Sequence, residues 1–207
     1  MSQYLFKIYS FLTLLLTPIF ASAYDIEIDG LYYDVNASEL TATVTIGENQ
    51  YSGDIAIPDE ISVKGKNLKV ISLKKAFANT SITSISIGVN IPEIRFSDLE
   101  GCDRLKSISF RDTENDMILY NLYDCDDYYA EIGIFYDLPL ESIYFGRPVK
   151  LAQTSLDGGS HGFCDYSPFI YKNYWGIQKY CDTIDSITFG GKCNIICLLY
   201  TSDAADD

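Results

Sequence analysis

The sequence predicts a repeat solenoid, a curved parallel β-sheet with irregular connections, closed at its N-terminal end by an antiparallel β cap. Three observations carry that expectation. A short pattern recurs as ITSISIG from 82, LKSISFR from 105, LESIYFG from 140 and IDSITFG from 184. Each copy ends in alternation of period two, the mark of a short strand with one buried face. Ahead of the copies, Asp29-Gly30 sits between two alternating runs and suits a tight hairpin turn.

The chain has 207 residues, room for one ordinary domain, and a hydrophobic share of 47% is enough to bury a core. At the start, Lys7 precedes FLTLLLTPIF, an apolar run followed by Ala21-Ser22-Ala23. The run is too short to span a bilayer and Pro18 interrupts it, while the small residues fit a signal-peptidase site. Residues 1–23 are therefore expected to be a secretory signal, with the mature chain starting near Tyr24 and carrying no transmembrane span.

Residues 24–60 do not follow the repeat. YDIEIDGLYYDV reads as a hairpin, and LTATVTIG places Leu40, Ala42, Val44 and Ile46 on one face. This segment is expected to be the cap that keeps the first repeat from exposing its core. Residues 61–196 are then irregular repeats. The copies start 23, 35 and 44 residues apart, and the first interval also carries Ile71 onto Ile94 and Ala76 onto Leu99. Strands of this length cannot bury an apolar face alone, so stacked copies share one core and run parallel. The longer intervals imply inserts at about 111–139 and 147–183, which map to surface loops.

These segments carry a resemblance. YDIEIDGLYYDV, YSGDIAIPDEI, VISLKKAFANTSITSISIG and DLEGCDRLKSISF, with the later LESIYFGRPV and YSPFIYKN, resemble the BspA-like leucine-rich repeat family of exported bacterial proteins over roughly residues 24–196. The Ala76-Phe77 pair and Gly101-Cys102 are the most specific parts, and Leu99-Glu100 departs from the Ala-Phe pattern. The resemblance implies a leucine-rich repeat solenoid, secreted or on the cell surface of a bacterium, that binds host or matrix proteins or glycans and catalyses nothing. A repeat spacer that only presents a further domain is the alternative. The family pattern expects another repeat after GGKCNII. CLLYTSDAADD, residues 197–207, instead looks like translated sequencing-adapter DNA and is set aside from the fold.

Composition excludes several functions. A formal net charge of −14 repels phosphate backbones and anionic lipid, so nucleic acid is not an expected partner. Of the six cysteines, Cys197 lies in the odd tail, and Cys102, Cys125, Cys164, Cys181 and Cys193 show no CxxC spacing. With His161 the sole histidine, a zinc site is disfavoured and no cofactor is expected. GGSHG at 158–162 matches a hydrolase nucleophile pattern, but it reads as a flexible glycine-rich loop whose histidine is the serine's own neighbour, so no enzyme is predicted. The acidic run Asp112, Glu114, Asp116, Asp124, Asp126, Asp127 and Glu131 reads either as a solvated loop or as a calcium site. Cys102 reads as a small buried residue, and Cys164 and Cys181 as a possible loop staple.

Two surfaces are candidates for binding. Between buried positions the strands point Lys106, Ser109, Glu141, Tyr144, Asp185 and Thr188 to the open, concave face, and a serine recurs in one slot of all four copies. That hydroxyl ladder permits close approach of a partner, and it equally suits a concave sheet with none. The inserts offer Tyr128, Tyr129, Tyr174 and Trp175, stiff amphipathic rings suited either to recognition or to sealing the inserts against the sheet.

Overall fold

The computed structural model describes residues 24–124, 130–155, 167–172 and 178–193. The expected signal segment 1–23 and the tail 197–207 lie outside the described residues.

The period-two copies do form strands. β7 (Ser81–Ile87), β9 (Ser107–Phe110), β12 (Ser142–Phe145) and β16 (Ser186–Phe189) lie side by side in parallel, with β4 (Ser52–Ala56) added beyond β7. Their register is tight: Ile55, Ile85, Ile108, Ile143 and Ile187 are cross-strand partners in one inward row. The next inward row runs through Ile87, Phe110, Phe145 and Phe189. Its phenyl rings stack, with centroids 5.2 Å apart from Phe110 to Phe145 and 5.8 Å from Phe145 to Phe189. Burying each such side chain contributes about 1.5–3 kcal/mol, so the two rows dominate the stability of this layer.

The connections overturn the predicted leucine-rich repeat solenoid. They are not irregular links along one curved sheet but strands of a second sheet. β8 (Glu93–Arg95), β10 (Met117–Asp124) and β13 (Val149–Ser155) pair in parallel, β13 along one edge of β10 and β8 along the other. β11 (Ala130–Ile132), β14 (Ile170–Lys172) and β15 (Gln178–Tyr180) extend that sheet in antiparallel fashion from the same edge as β8. The physical cause lies in residues read as inserts. Met117, Leu119 and Asn121 alternate inward along β10 and are buried, so this stretch behaves as a strand with its own core face.

The N-terminal sheet differs as well. β1 (Ile26–Ile28), β2 (Leu31–Asn36), β3 (Thr41–Thr45), β5 (Glu60–Val63) and β6 (Lys66–Ser72) pair in the order β1-β2-β3-β6-β5. The sheet is mixed, because β3 and β6 run parallel. Asp29-Gly30 makes the expected turn with both residues at positive φ, and Lys64-Gly65 makes the same kind of turn between β5 and β6. A chain of rings, Tyr32 to Tyr51 to Phe77 at 5.8 and 4.9 Å, joins this sheet to the parallel layer. The Tyr51 hydroxyl accepts from the Tyr32 N–H and donates to the Thr45 carbonyl, and burial pushes its pKa up to about 12.

Two polar devices hold the layers. The short helix α1 (Phe96–Leu99) buries Asp98, whose carboxylate accepts from the Arg95 N–H (2.9 Å) and the Lys75 N–H (2.8 Å). Lys74 and Lys75 both adopt positive φ, and this carboxylate together with the Lys74–Asp34 ion pair keeps them there. Arg147 is fully buried and donates to three loop carbonyls, Val89, Ile91 and Asn115. Burial lowers its pKa, with the Asp59 carboxylate acting in the opposite sense.

Candidate functional site

Strand alternation puts two polar rows on the outward face of the parallel sheet. The first runs Asp54, Ser84, Ser107, Ser142 and Ser186; the second runs Ala56, Ser86, Ser109, Tyr144 and Thr188. Because parallel strands lie about 4.8 Å apart, neighbouring hydroxyls can bond each other. Ser142 donates to Ser107 (3.0 Å) and Ser109 to Ser86 (3.3 Å). At the β4 end, Thr83 and Ser84 both donate to Oδ1 of Asp54 at 2.8 Å, which lowers that carboxyl's pKa.

Small side chains leave space above the backbone. A depression of about 320 Å³ lies over Asp54, Ala56, Ser84, Ser86, Ser107 and Ser109. Ser107 and Ser86, which accept from their neighbours, keep their own hydroxyl hydrogens for a further acceptor. The depression thus offers two hydroxyl donors, one carboxylate and exposed peptide planes over a floor of small residues.

Larger groups flank it. Lys106 and Glu141 stand just ahead of β9 and β12 and form an exposed ion pair at 2.6 Å. Asp185 stands in the same row ahead of β16, its N–H bonded to the Glu141 carbonyl at 2.9 Å. On the other side the Tyr144 hydroxyl meets both carboxylate oxygens of Asp112 at 2.9 Å, which raises the phenol's pKa. Thr188 is exposed on β16.

The face therefore gathers all six strand candidates, Ser109, Tyr144 and Thr188 in its second row and Lys106, Glu141 and Asp185 just ahead of the strands, although Ser109 alone among them lines the depression. Tyr128, Tyr129, Tyr174 and Trp175 lie outside the described residues. Two contributors went unread in the sequence. Asp54 falls within the expected cap because residues 24–60 do not follow the repeat; the Ile55-x-Ile57-Pro58 run after it is the signal that aligns it with the repeats. Asp112 was grouped with the acidic run, yet it buttresses Tyr144.

The remaining chemistry is structural in character. Cys102 is buried, its thiol donating to the Phe77 carbonyl at 3.0 Å, and burial raises its pKa. Cys181 is a free thiol placed 3.6 Å from the Leu138 carbonyl; Cys164 lies outside the described residues. In the acidic run, Glu114 pairs with Lys192 and Asp116 with Lys150, and no metal-binding group of three or more ligands occurs among the described residues. No helix among the described residues is long and apolar enough to cross a membrane. Compared with known proteins, the chain matches no family model, no curated protein and no solved structure.

Proposed function

We propose that the protein acts by binding, on the open face of its parallel sheet, and that its partner is a protein or glycan outside the cell that makes it. The hydroxyl-lined depression over Ser84, Ser86, Ser107 and Ser109 is the observation that carries this reading. A floor of small residues lets a partner approach the sheet closely, and Ser107 and Ser86 offer donors to carbonyl or sugar oxygens. The net charge of −14 argues for a neutral or cationic partner. The export signal expected in residues 1–23, together with the family resemblance, supports a secreted or surface location.

The test is a panel of extracellular matrix proteins and glycans probed with the full chain. A partner whose retention is lost with Ser109→Glu, in a protein that unfolds as the parent does, supports the reading. Retention of no partner, or retention indifferent to Ser109→Glu, sinks it.

A further inference from the structure

A second surface lies not on the sheet's face but at its edge, and its chemistry is different. Among the described residues β4 pairs with β7 alone, so no described strand lies against its other side. The phase of its peptide groups follows from one bond: the Ile57 N–H donates to the Ser86 carbonyl at 2.9 Å. Peptide groups alternate between the two edges of a strand, so Ile55 and Ile57 face β7, while Asp54 and Ala56 turn their N–H and C=O to the open side. Those groups have no hydrogen-bond partner among the described residues.

The open side is a cleft rather than bare surface. A cavity of about 290 Å³ lies between this edge, the β1–β2 turn and β5, itself the end strand of the mixed sheet. Ile28, Leu31, Ile55 and Ile61 supply apolar lining. Among the described residues the ionisable groups lining it are Asp29, Asp54 and Glu60, all exposed carboxylates, joined by Tyr33, with no lysine, arginine or histidine. A strand entering here would find unpaired peptide groups on one side, apolar side chains along the cleft, and the carboxylates of Asp29, Asp54 and Glu60 at the rim.

We propose that the open edge of β4 is a docking site for an extended, basic peptide segment of another protein, which adds as a further strand and sets its cationic side chains against Asp29, Asp54 and Glu60. Strand addition takes affinity from main-chain hydrogen bonds and selectivity from alternate side chains, so the site reads backbone extension and charge rather than one sequence. It shares Asp54 and Ala56 with the margin of the hydroxyl-lined depression, whereas Asp29 and Glu60 line the cleft alone, so changes at Asp29 and Glu60 on one side and at Ser109 on the other separate the two surfaces.

The test uses the full chain and a short capped peptide alternating valine and lysine, beside its counterpart with glutamate for lysine. The lysine peptide is expected to bind and to slow amide hydrogen exchange at Asp54 and Ala56 by at least about tenfold at saturation. Ala56→Pro removes one outward N–H and places a ring on the incoming strand's path, a change an edge strand tolerates, and is expected to abolish binding. Asp29→Asn with Glu60→Gln, which keeps the fold whatever proline does, is expected to weaken binding about tenfold or more and to flatten its salt dependence. Equal binding of the glutamate peptide, full binding by the double charge variant, or no binding of the lysine peptide overturns the proposal. Concentration-dependent protection of Ala56 without peptide also overturns it, by assigning the edge to a second copy of this chain.

Discussion

Replacing Arg147 with methionine tests how the loops between the parallel sheet and the second sheet are held together. Arg147 is the largest fully buried side chain among the described residues, and its guanidinium donates to the carbonyls of Val89, Ile91 and Asn115. Methionine restores much of the volume and no donor. A buried carbonyl deprived of its partner costs about 1–3 kcal/mol, so three of them set a gross loss of about 3–9 kcal/mol. Removing a buried charge returns several kcal/mol of desolvation, and water reaching the loop returns more, leaving a net loss of about 3 kcal/mol. Set against a total of about 5–15 kcal/mol for a domain, that is a large fraction. With a urea dependence of about 1–3 kcal/mol per molar, the unfolding midpoint should fall by about 1–3 M. Arg147→Lys should be nearly as damaging, since a point ammonium cannot span three carbonyls held by a planar fork. A loss below about 1 kcal/mol for methionine, with an unchanged slope, would refute the view that these carbonyls depend on Arg147.

Further outcomes follow from the packing and the charges. Gly146→Ala places a Cβ 2.6 Å from the Phe110 carbonyl and 2.7 Å from the Asp112 nitrogen, so denaturant titration should show a loss of about 1–3 kcal/mol. The Asp98 carboxyl is raised above 3.8, chiefly by burial. Its protonated form is thus favoured by folding, a contribution fully present below about 3.8 and lost as pH rises through the folded value. Urea midpoints of the parent should show this fall and those of Asp98→Asn should not; parallel profiles would count against it. Cys102 should resist a thiol reagent in the folded protein while Cys181, half-buried, is modified, as peptide mapping would show.

The copies at 82, 105, 140 and 184 were legible because each strand buries one face against one core, which writes alternation directly into sequence. β10 was not legible for an equally physical reason. Its outward residues Ile118, Tyr120 and Leu122 are apolar while its buried row ends in a polar residue, Asn121, whose side-chain carbonyl accepts from the Ile134 N–H at 2.9 Å. Satisfied by that bond, Asn121 costs little inside, and the pattern it breaks is the one a reader looks for. Arg147 misled in the same way, since a charge in FGRPV reads as surface until three carbonyls are found around it. The serine rows of the candidate face were visible in the repeat, but Asp54 was not. Its place beside Ser84 depends on β4 crossing from the cap segment to the parallel sheet.

The opposite edge of the parallel sheet, β16, is also open among the described residues. Ile187 and Phe189 continue the inward rows yet remain 41% and 51% exposed, because β16 has a neighbour on one side only among the described residues. Substituting both with threonine should raise solubility with little loss of unfolding cooperativity, measured by sedimentation and urea titration.

The central claim is that the hydroxyl-lined depression is the contact surface. Its most direct measurement is the affinity of the best partner from the panel for the parent, for Ser109→Glu, and for Ala37→Glu, an exposed control in the β2–β3 turn that lines neither the depression nor the cleft. The account predicts at least about a tenfold loss, about 1.4 kcal/mol, for Ser109→Glu and none for Ala37→Glu. Equal affinity for all three proteins would contradict it.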